Sequence, residues 1–341
     1  MKEWTQALTG YGHITAPHQE QWGGLDMGWL THLLIFEEIA YSSLDVAIPG
    51  FINAVGAELI RRFAPETIKQ RYLADLVAAE KFVSLGISEP DVGSDVAAIK
   101  TRAVRDGDFW VINGEKTWIT NGAYSDIFIC TCKTGENEVT HILVDRDESE
   151  YEVRDIQKMA LNGQSTAQIF LSDCRVPVAN TIGRVGDGLR NTLQVFEIAR
   201  CHMAMWSIGI ARRAMDEAIA YARDRAQHGK KIAGHQLIAD KIAIMATKID
   251  AARLLTHRAI SLVQAGTRAE TECSMAKWYA TEMAIEATRD ALQIHGGNGV
   301  TREFIVERLV REAIICPIPD GTTEIQKLVV SRALTGIQAF R

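Results

Sequence analysis

Hydrophobic residues recur every three or four positions in the first part of the chain. This spacing predicts amphipathic helices, because it places apolar side chains on one helical face. Three segments carry the pattern, at residues 29–48, 51–64 and 66–80. We therefore predict a helical N-terminal domain over residues 1–80.

The pattern changes at about residue 82 to short runs in which apolar and polar positions alternate. Alternation is typical of strands, whose successive side chains point to opposite faces of a sheet. Asp106-Gly107 and Asn113-Gly114 lie between such runs, and both dipeptides favour hairpin turns. We predict a middle antiparallel β-domain over residues 81–185.

The helical period returns after Gly188 in long segments joined by short, glycine-bearing connections. The segments cover residues 189–226, 236–265, 270–294, 302–315 and 322–334. Long consecutive helices with short joints are typical of an up-and-down bundle. The prediction is an α+β fold whose third domain, residues 186–341, is a four-helix bundle.

Composition and charge narrow the class of function. Of 341 residues, 47% are hydrophobic and 23% charged, as in a globular protein with a sizeable interior. The net charge of −6, without a stripe of Lys and Arg, argues against a nucleic-acid partner. Apolar runs of membrane-spanning length and a signal-peptide layout are both missing from the sequence, so we expect a cytoplasmic protein without a membrane partner.

The cysteines and histidines do not predict a metal site. Six cysteines are scattered without a Cys-x-x-Cys, and nine histidines show no ligand spacing beside them. Reduced, buried thiols are the expected state. Cys130 and Cys132 share one face of a predicted strand, which favours packing over redox chemistry.

Two segments at the ends of β-runs are rich in hydroxyl groups and glycine. They are ISEPDVGSD, residues 87–95, and KTWITNG, residues 116–122. Backbone N–H groups exposed in such segments can hold a flat polar ring or a phosphate. Taken singly, each segment is better explained by a tight turn, and Trp118 by packing in the core.

Two further segments lie at joints between predicted helices. RDRAQHGKKIAGHQ carries a basic cluster around Gly229, which suits a pyrophosphate but also a solvated helical hairpin. QIHGGNG, residues 293–299, ends a helix with consecutive glycines that admit a ligand or another backbone. It lacks the preceding strand and the spacing of a dinucleotide-binding fingerprint, which excludes a Rossmann fold.

Asp320 lies between Pro319 and Gly321, at the break before the last predicted helix. Local rules favour a helix cap, since an aspartate near a helix N-terminus accepts hydrogen bonds from unpaired N–H groups. On this pattern alone, Asp320 is a structural residue.

The segments occur together in the order and spacing of the acyl-CoA dehydrogenase family of flavoproteins, which this chain resembles from QWGGLDM, residues 21–27, onward. The motifs are ISEPDVGSD, KTWITNG, RAQHGKK with HQ, QIHGGNGVTREFIVER and DGTTEIQKLVVSR. The resemblance implies FAD as cofactor, an acyl-CoA substrate, electron-transfer flavoprotein as acceptor and a homo-oligomer, typically a tetramer. The family's order of helical, β and bundle domains agrees with the periodicity.

The resemblance also implies which residues contact FAD and substrate. Residues 85–94 would lie along the flavin ring, residues 118–120 would form a wall on its other side, and residues 293–297 would hold its diphosphate from a neighbouring subunit. The implied FAD contacts are Leu85, Ile87, Ser88, Gly93, Ser94, Trp118, Ile119, Thr120, Arg225, Gln227, His235, Gln236, Gln293, Gly296, Gly297, Thr322 and Glu324. The implied substrate contacts are Ser94, Glu197, Arg200 and Gly321.

In the family, the position of Asp320 usually holds the glutamate that removes the α-proton of the thioester while flavin N5 accepts the β-hydride. Burial can raise the pKa of such a carboxylate toward neutrality. Relatives with Asp here include alicyclic carboxyl-CoA dehydrogenases and nitroalkane oxidases. Some members take the base from the first bundle helix, where this chain has Ala199; Asp320 is therefore favoured over Glu197.

Three interpretations follow. The first is an FAD-dependent dehydrogenase of a short, branched or alicyclic acyl-CoA, with the thioester carbonyl held by a ribityl hydroxyl and the N–H of Asp320. The second is a flavin oxidase such as a nitroalkane oxidase, and the third is a noncatalytic flavoprotein in which Asp320 only caps a helix. His228 replaces the family's usual phenylalanine and is expected in the core or at an interface.

Overall fold

The computed structural model describes residues 1–339, so residues 340 and 341 of the predicted C-terminal domain lie outside it. The chain forms two compact units: residues 1–32, 45–158 and 162–196, and residues 33–44, 159–161 and 197 onward. The helices are α1 (Lys2–Thr9), α2 (Gly28–Ser42), α3 (Leu44–Phe63), α4 (Glu66–Val77), α5 (Gly188–Asp224), α6 (Gln236–Gln264), α7 (Glu270–His295), α8 (Val306–Ile315) and α9 (Thr323–Thr335). The predicted α+β class, with helices before and after a sheet, is confirmed.

The strands build one large sheet in the first unit and one short ribbon in the second. They are β1 (Val83–Gly86), β2 (Arg102–Asp106), β3 (Phe109–Thr120), β4 (Ile127–Lys133), β5 (Val139–Asp145), β6 (Glu152–Asp155), β7 (Thr166–Pro177), β8 (Thr181–Ile182), β9 (Ala226–Gln227) and β10 (Lys230–Lys231). The large sheet has the order β6-β7-β3-β2-β4-β5-β8, and β1 pairs with β4. Most pairs are antiparallel as predicted, but β1 and β2 both run parallel to β4.

The first predicted hairpin turn is confirmed and the second is wrong. Gly107 and Asp108 form the two-residue turn that joins β2, which ends at Asp106, to the antiparallel β3. Asn113-Gly114 lies inside β3, at a shift in its register with β7. A Cβ on Gly114 would come within 2.7 Å of Thr101 atoms, so this glycine permits a close approach of two chain segments rather than a turn.

The sheet buries a continuous apolar core on one face. Its members are Ala103, Trp110, Ile112, Ile119, Phe128, Cys130, Cys132, Ile142, Val144, Ile169, Leu171, Cys174 and Val176. Cys130 and Cys132 pack in this core as predicted, and all six cysteines are buried free thiols.

Helix α3 runs through Pro49, where the sequence pattern had separated two helical segments. The helices break instead at Ser43, between α2 and α3. A proline inside a helix removes one N–H donor and strains the preceding turn. Here the carbonyl of Pro49 accepts a hydrogen bond from Asn121 Nδ2 at 3.3 Å, which ties this turn of α3 to the end of β3.

The second unit is built around α7, which packs against α6, α8 and α9. The predicted bundle segments agree with α5, α6, α7 and α9 to within two residues at each end. Helix α8 starts later than predicted, at Val306, because a 3₁₀ turn over Gly296–Val300 and a loop precede it. Among residues 1–339, we find no helix with both the length and the apolar character needed to cross a bilayer.

A glycine lets α5 approach α2 closely in the second unit. A Cβ on Gly209 would lie 2.9 Å from Ala40 Cβ and 3.0 Å from the backbone N of Tyr41. Beside this crossing, Glu37 of α2 accepts hydrogen bonds from Arg212 of α5 at 2.8 Å and from Arg253 of α6 at 2.8 Å. The buried carboxylate of Glu37 therefore links three helices.

We expect Gly209→Val to destabilise the protein by about 1–3 kcal/mol, the usual cost of overpacking a tight site. The added methyl groups would meet backbone atoms, which cannot rotate away as a flexible side chain can. The measurement is the free energy of unfolding in urea. Gly10→Val is the control, since a Cβ there meets nothing within 4 Å; equal stability of the two variants would contradict a tight crossing at Gly209.

Candidate functional site

In the first unit, the structure brings the two hydroxyl-rich and glycine-rich segments together. The backbone N–H of Thr117 donates to the carbonyl of Ser88 at 3.0 Å. Lys116 Nζ donates to the carbonyl of Ile87 at 3.0 Å. Residues 87–95 and 116–122, which the sequence could only consider separately, thus form one surface feature.

A buried ion pair fixes this arrangement. Lys116 Nζ lies 2.8 Å from Glu89 Oε1, and both side chains are buried. Glu89 also accepts from the backbone N–H groups of Lys100 and Thr101, at 2.5 and 2.9 Å. Burial alone would raise the pKa of Glu89, but its hydrogen bond with Lys116 and the charge of that lysine lower it overall. Glu89 is therefore an ionised anchor for the segment that contains Ser88 and Ser94.

The predicted cofactor residues of this surface are largely accessible. Gly93, Ser94 and Trp118 are exposed, while the backbone of Ile119 turns its side chain into the sheet core. Trp118 is 62% exposed and has a φ of +62°, in the left-handed region that non-glycine residues rarely occupy. The interpretation of Trp118 as a core residue is wrong. A large aromatic ring held outward by a strained backbone is typical of a ligand-contact residue.

Leu85 and Ile87 line a small cavity in the first unit together with His141 and Phe196. The two ring nitrogens of His141 each lie 3.0 Å from a threonine hydroxyl, that of Thr131 and that of Thr192. Burial lowers the pKa of His141 to about 4. This histidine is accordingly neutral at physiological pH and bridges two hydroxyl groups.

In the second unit, the basic segment after α5 is a β-hairpin rather than a helical one. Strands β9 and β10 pair across His228 and Gly229, whose φ values are +52° and +78°. His235 Nε2 lies 3.1 Å from the carbonyl of Gln227, so two predicted cofactor residues are neighbours. Arg225, Gln227 and Gln236 are exposed. His228 is exposed as well, and its placement in the core is wrong.

The glycine segment after α7 presents bare backbone to open space. Gln293, Gly296 and Gly297 are exposed, and a Cβ on either glycine would meet nothing within 4 Å. The residue just before the glycines is held in place, because the ring of His295 stacks on Tyr221 with centroids 4.4 Å apart. Such a support leaves the glycine backbone free to contact a ligand.

In the loop before α9, the helix cap is not Asp320, as the local sequence pattern predicted, but another residue. Thr322 is the N-cap of α9, and its hydroxyl accepts from the N–H of Ile325 at 3.5 Å. The interpretation of Asp320 as the helix cap is therefore wrong. Asp320 has a φ of +55°, and its carboxylate accepts no hydrogen bond from the part of the chain that the structure describes.

The surroundings of the Asp320 carboxylate act on its pKa in opposite directions. Burial raises the pKa above its usual value and is the dominant effect, while the positive charges of Lys277 and Arg200 lower it. Asp320 is half-buried, and a carboxylate that is partly withdrawn from water and lacks hydrogen-bond donors binds a proton more readily than a fully exposed one. These are the properties of a general base.

Two buried side chains hold the backbone around Asp320. Lys277 Nζ donates to the carbonyls of Pro317 and Gly321, at 2.7 and 2.6 Å. Gln326 Nε2 donates to the carbonyls of Asp320 and Gly321, at 3.1 and 2.9 Å. The loop thus keeps its shape through four hydrogen bonds from two helices.

Arg200 and Glu197 lie close to one another along α5, and both are buried. Arg200 donates from Nη1 to Ser274 Oγ at 3.4 Å, whereas its Nε is buried and has no partner among the described residues. Glu197 accepts from Arg268 Nε at 2.5 Å and from the N–H of Ala269 at 3.1 Å. An unpartnered buried donor such as Arg200 Nε is costly, and it suits a site that receives an acceptor from a ligand.

Sequence reasoning missed the anchoring residues Lys116, Glu89, Lys277 and Gln326. For Lys277 a signal was present, because it shares the buried face of α7 with Cys273, Ala276 and Ala280 at helical spacing. A lysine on an otherwise apolar helical face predicts a buried partner. The partners of the Lys116–Glu89 pair are 27 positions apart, and no local pattern connects them.

Family models cover nearly the whole chain. The N-terminal domain of acyl-CoA dehydrogenase matches residues 1–80, its middle domain residues 84–174 and its C-terminal domain residues 186–335. The chain is 36% identical over 331 residues to a probable acyl-CoA dehydrogenase of Bacillus subtilis, YngJ, covering 95% of this chain and 87% of that protein.

Two further proteins agree with this match. The cyclohexane-1-carbonyl-CoA dehydrogenase of Syntrophus aciditrophicus is 34% identical over 347 residues, covering 97% of this chain and 88% of that protein. The solved structure of butyryl-CoA dehydrogenase from Megasphaera elsdenii superposes with a TM-score of 0.95 at 31% identity, covering 98% of this chain and 90% of that one. The chain therefore belongs to the acyl-CoA dehydrogenase family, whose members are flavoprotein oxidoreductases.

Proposed function

We propose that this protein oxidises the acyl-CoA thioester of a short, branched or alicyclic acyl group to the 2-enoyl-CoA, with FAD as cofactor and Asp320 as the base. The observation that carries the proposal is the state of Asp320. Asp320 is half-buried, and its carboxylate accepts no hydrogen bond from the described residues, while Thr322 caps the helix that follows.

The residues near Asp320 would each contribute to proton removal. Asp320 would take the α-proton of the thioester, and its raised pKa improves its match to a weakly acidic C–H group. The backbone N–H of Asp320 would donate to the thioester carbonyl, where negative charge develops as the proton leaves. FAD would supply the acceptor for the hydride from the β-carbon.

The residues present fit the cofactor. Trp118 offers an exposed ring for stacking, and Gly296 and Gly297 offer open backbone for a diphosphate. The FAD contacts that we propose are Leu85, Ile87, Ser88, Gly93, Ser94, Trp118, Ile119, Thr120, Arg225, Gln227, His235, Gln236, Gln293, Gly296, Gly297, Thr322 and Glu324. They follow the family's pattern residue by residue.

Ser94, Glu197, Arg200 and Gly321 are the proposed substrate contacts. Arg200 supports this proposal best, because its buried Nε is unpartnered in the described chain and can donate to a substrate oxygen. Glu197 already accepts from Arg268 and from Ala269, so its contact with substrate would be through the carbon atoms of its side chain.

The substrate class rests on the length of the base. Asp320 is one methylene shorter than the family's usual glutamate, and a displacement of about 1 Å can change a rate about a hundredfold. Either the substrate sits differently or the activity is altered, and we propose the first. The similarity to the cyclohexane-1-carbonyl-CoA dehydrogenase of Syntrophus aciditrophicus supports an alicyclic or branched acyl group.

Electron-transfer flavoprotein is the proposed acceptor of electrons, and a homotetramer the proposed assembly, both on the family's pattern. Self-association is supported by exposed apolar side chains on α6, where Leu237 is 80% and Leu254 69% accessible. Exposed residues of this kind are concentrated where proteins bind partners.

Anaerobic titration of the FAD-loaded protein with straight, branched and alicyclic acyl-CoA thioesters and with nitroalkanes tests the function. We expect one class of thioester to bleach the flavin absorbance and to yield a product that mass spectrometry shows to be two hydrogens lighter. Bleaching by nitroalkanes alone would instead support an oxidase. If no compound bleaches a fully bound flavin, the proposed dehydrogenation is wrong.

A further inference from the structure

We propose that Lys277 and Gln326 are positioning residues that fix the orientation of the Asp320 carboxylate and set its readiness to accept a proton. This inference deepens the proposed function and rests on it for the identity of the base. Neither side chain is a candidate for contact with FAD or substrate, and both act on Asp320 through the loop that carries it.

The position of Lys277 is the first support. Its side chain is fully buried on α7, where an ammonium group is costly unless each of its protons finds an acceptor. The carbonyls of Pro317 and Gly321 accept two of these protons at 2.7 and 2.6 Å. Because these carbonyls flank Asp320 on both sides in the sequence, the lysine closes the loop around the base.

Gln326 holds the same loop from α9. It is fully buried, and its Nε2 donates to the carbonyls of Asp320 and Gly321 at 3.1 and 2.9 Å. A Cβ on Gly321, whose φ is +92°, would lie 2.6 Å from this nitrogen. The glycine is thus required both by the backbone conformation and by the space that Gln326 occupies.

Charge gives Lys277 a second effect. The titratable groups that act on it are Asp320 and Cys316 in and beside the loop, Glu282 on its own helix and Arg200 on α5. Burial lowers the pKa of Lys277 to about 8, and the negative charge of Asp320 opposes that change. In return, the ammonium lowers the pKa of Asp320, which burial raises. Lys277 therefore limits how far the pKa of the base rises.

The two residues differ in a way that an experiment can use. Removing the charge of Lys277 raises the pKa of Asp320 and also loosens the loop. Removing the amide of Gln326 loosens the loop without changing a charge. The pair separates the electrostatic contribution from the geometric one.

The test compares Lys277→Met, Lys277→Arg and Gln326→Leu in the FAD-loaded protein by the pH dependence of flavin reduction. We expect Lys277→Met to lower kcat about a hundredfold, as a misplaced catalytic group does, with KM within a few-fold of wild type. The pH at which the rate of flavin reduction increases should be higher in Lys277→Met than in wild type. Lys277→Arg should restore the wild-type pH dependence, and Gln326→Leu should lower kcat at an unchanged pH dependence.

Lys248→Met is the matched control, because Lys248 makes an ion pair with Glu286 outside the loop and is partly exposed. It should leave kcat and the pH dependence unchanged. A pH dependence of Lys277→Met equal to that of wild type, or a wild-type kcat in both loop variants, overturns the proposal.

A measurement without substrate separates this inference from the proposed function. Carbon-13 NMR of the aspartate carboxyl groups in the FAD-loaded protein, with the Asp320 signal identified by its loss in Asp320→Asn, gives the pKa directly. We expect a higher pKa in Lys277→Met than in wild type and an unchanged one in Lys248→Met. An equal pKa in wild type and Lys277→Met overturns the role of Lys277 even if no thioester is oxidised, and a raised one supports it whatever the substrate proves to be.

Discussion

Asp320→Asn is expected to lower the rate of flavin reduction by the acyl-CoA substrate by about 10²–10⁴-fold, the usual contribution of a general base. The carboxamide has nearly the same shape but cannot take up the α-proton. Because Thr322 caps α9, the substitution leaves the helix N-terminus intact, and thermal unfolding should be unchanged. Stopped-flow absorbance of the flavin under anaerobic conditions measures the rate, and released FAD measures cofactor content.

The wild-type rate should rise with pH through the pKa of Asp320, since only the ionised carboxylate accepts the proton. Burial raises that pKa, so the rise should occur above the range of an ordinary aspartate. Asp250→Asn is the control, an exposed aspartate paired with Arg253 on α6. A wild-type rate in Asp320→Asn would remove Asp320 as the base and make Glu197 the next residue to test.

Breaking the buried Lys116–Glu89 pair is expected to destabilise the protein by about 3–5 kcal/mol, because either single substitution leaves an unpaired buried charge. We expect Lys116→Met and Glu89→Gln also to weaken FAD binding. The pair holds the segment that contains Ser88 against β3, two residues before Trp118 in that strand. Urea unfolding measures the stability, and flavin fluorescence measures the binding of added FAD.

The chain offers a matched control in the exposed pair between Lys100 and Asp91, 2.8 Å apart. Lys100→Met should leave the free energy of unfolding nearly unchanged, because exposed ion pairs contribute little to stability. The lowered pKa of Glu89 adds a pH dependence: its stabilisation is present above the carboxyl pKa of the unfolded chain and is lost as the pH falls through the folded value. Equal losses in Lys100→Met and Lys116→Met would contradict a special role for the buried pair.

Hydrophobic periodicity predicted much of the fold because it reports which face of an element is buried. It located α5, α6, α7 and α9 to within two residues at each end. The prediction failed where a residue type that usually marks a break or a turn instead makes a contact with a distant part of the chain. Pro49 resembles a helix break and Asn113-Gly114 a turn, but the first is accommodated inside α3 and the second lets β3 pass close to Thr101.

The residues of the candidate site were predicted through motifs, whereas the buried residues that hold its segments in place were not. The cap expected at Asp320 failed because Thr322, two residues later, competes for the same helix end, and local rules do not decide between them. The parallel pairing of β1 with β4, like the contacts of Lys277, joins residues 40 or more positions apart. Periodicity can show that a residue such as Lys277 lies on a buried face, but which residue it pairs with depends on the folded chain.

The hydrogen bonds from Lys277 and Gln326 restrain the backbone of the Asp320 loop. If the loop were mobile, a small shift of its backbone could offset the shorter side chain of the base. Because the loop is held in place, the position of the Asp320 carboxylate sets the distance at which the substrate's α-carbon must lie. On the proposed mechanism, the thioester must make up the missing length by bringing its α-carbon nearer to the backbone of residue 320. Discrimination between acyl groups would then depend on how closely the α-carbon can approach, and less on how long a chain the pocket can hold.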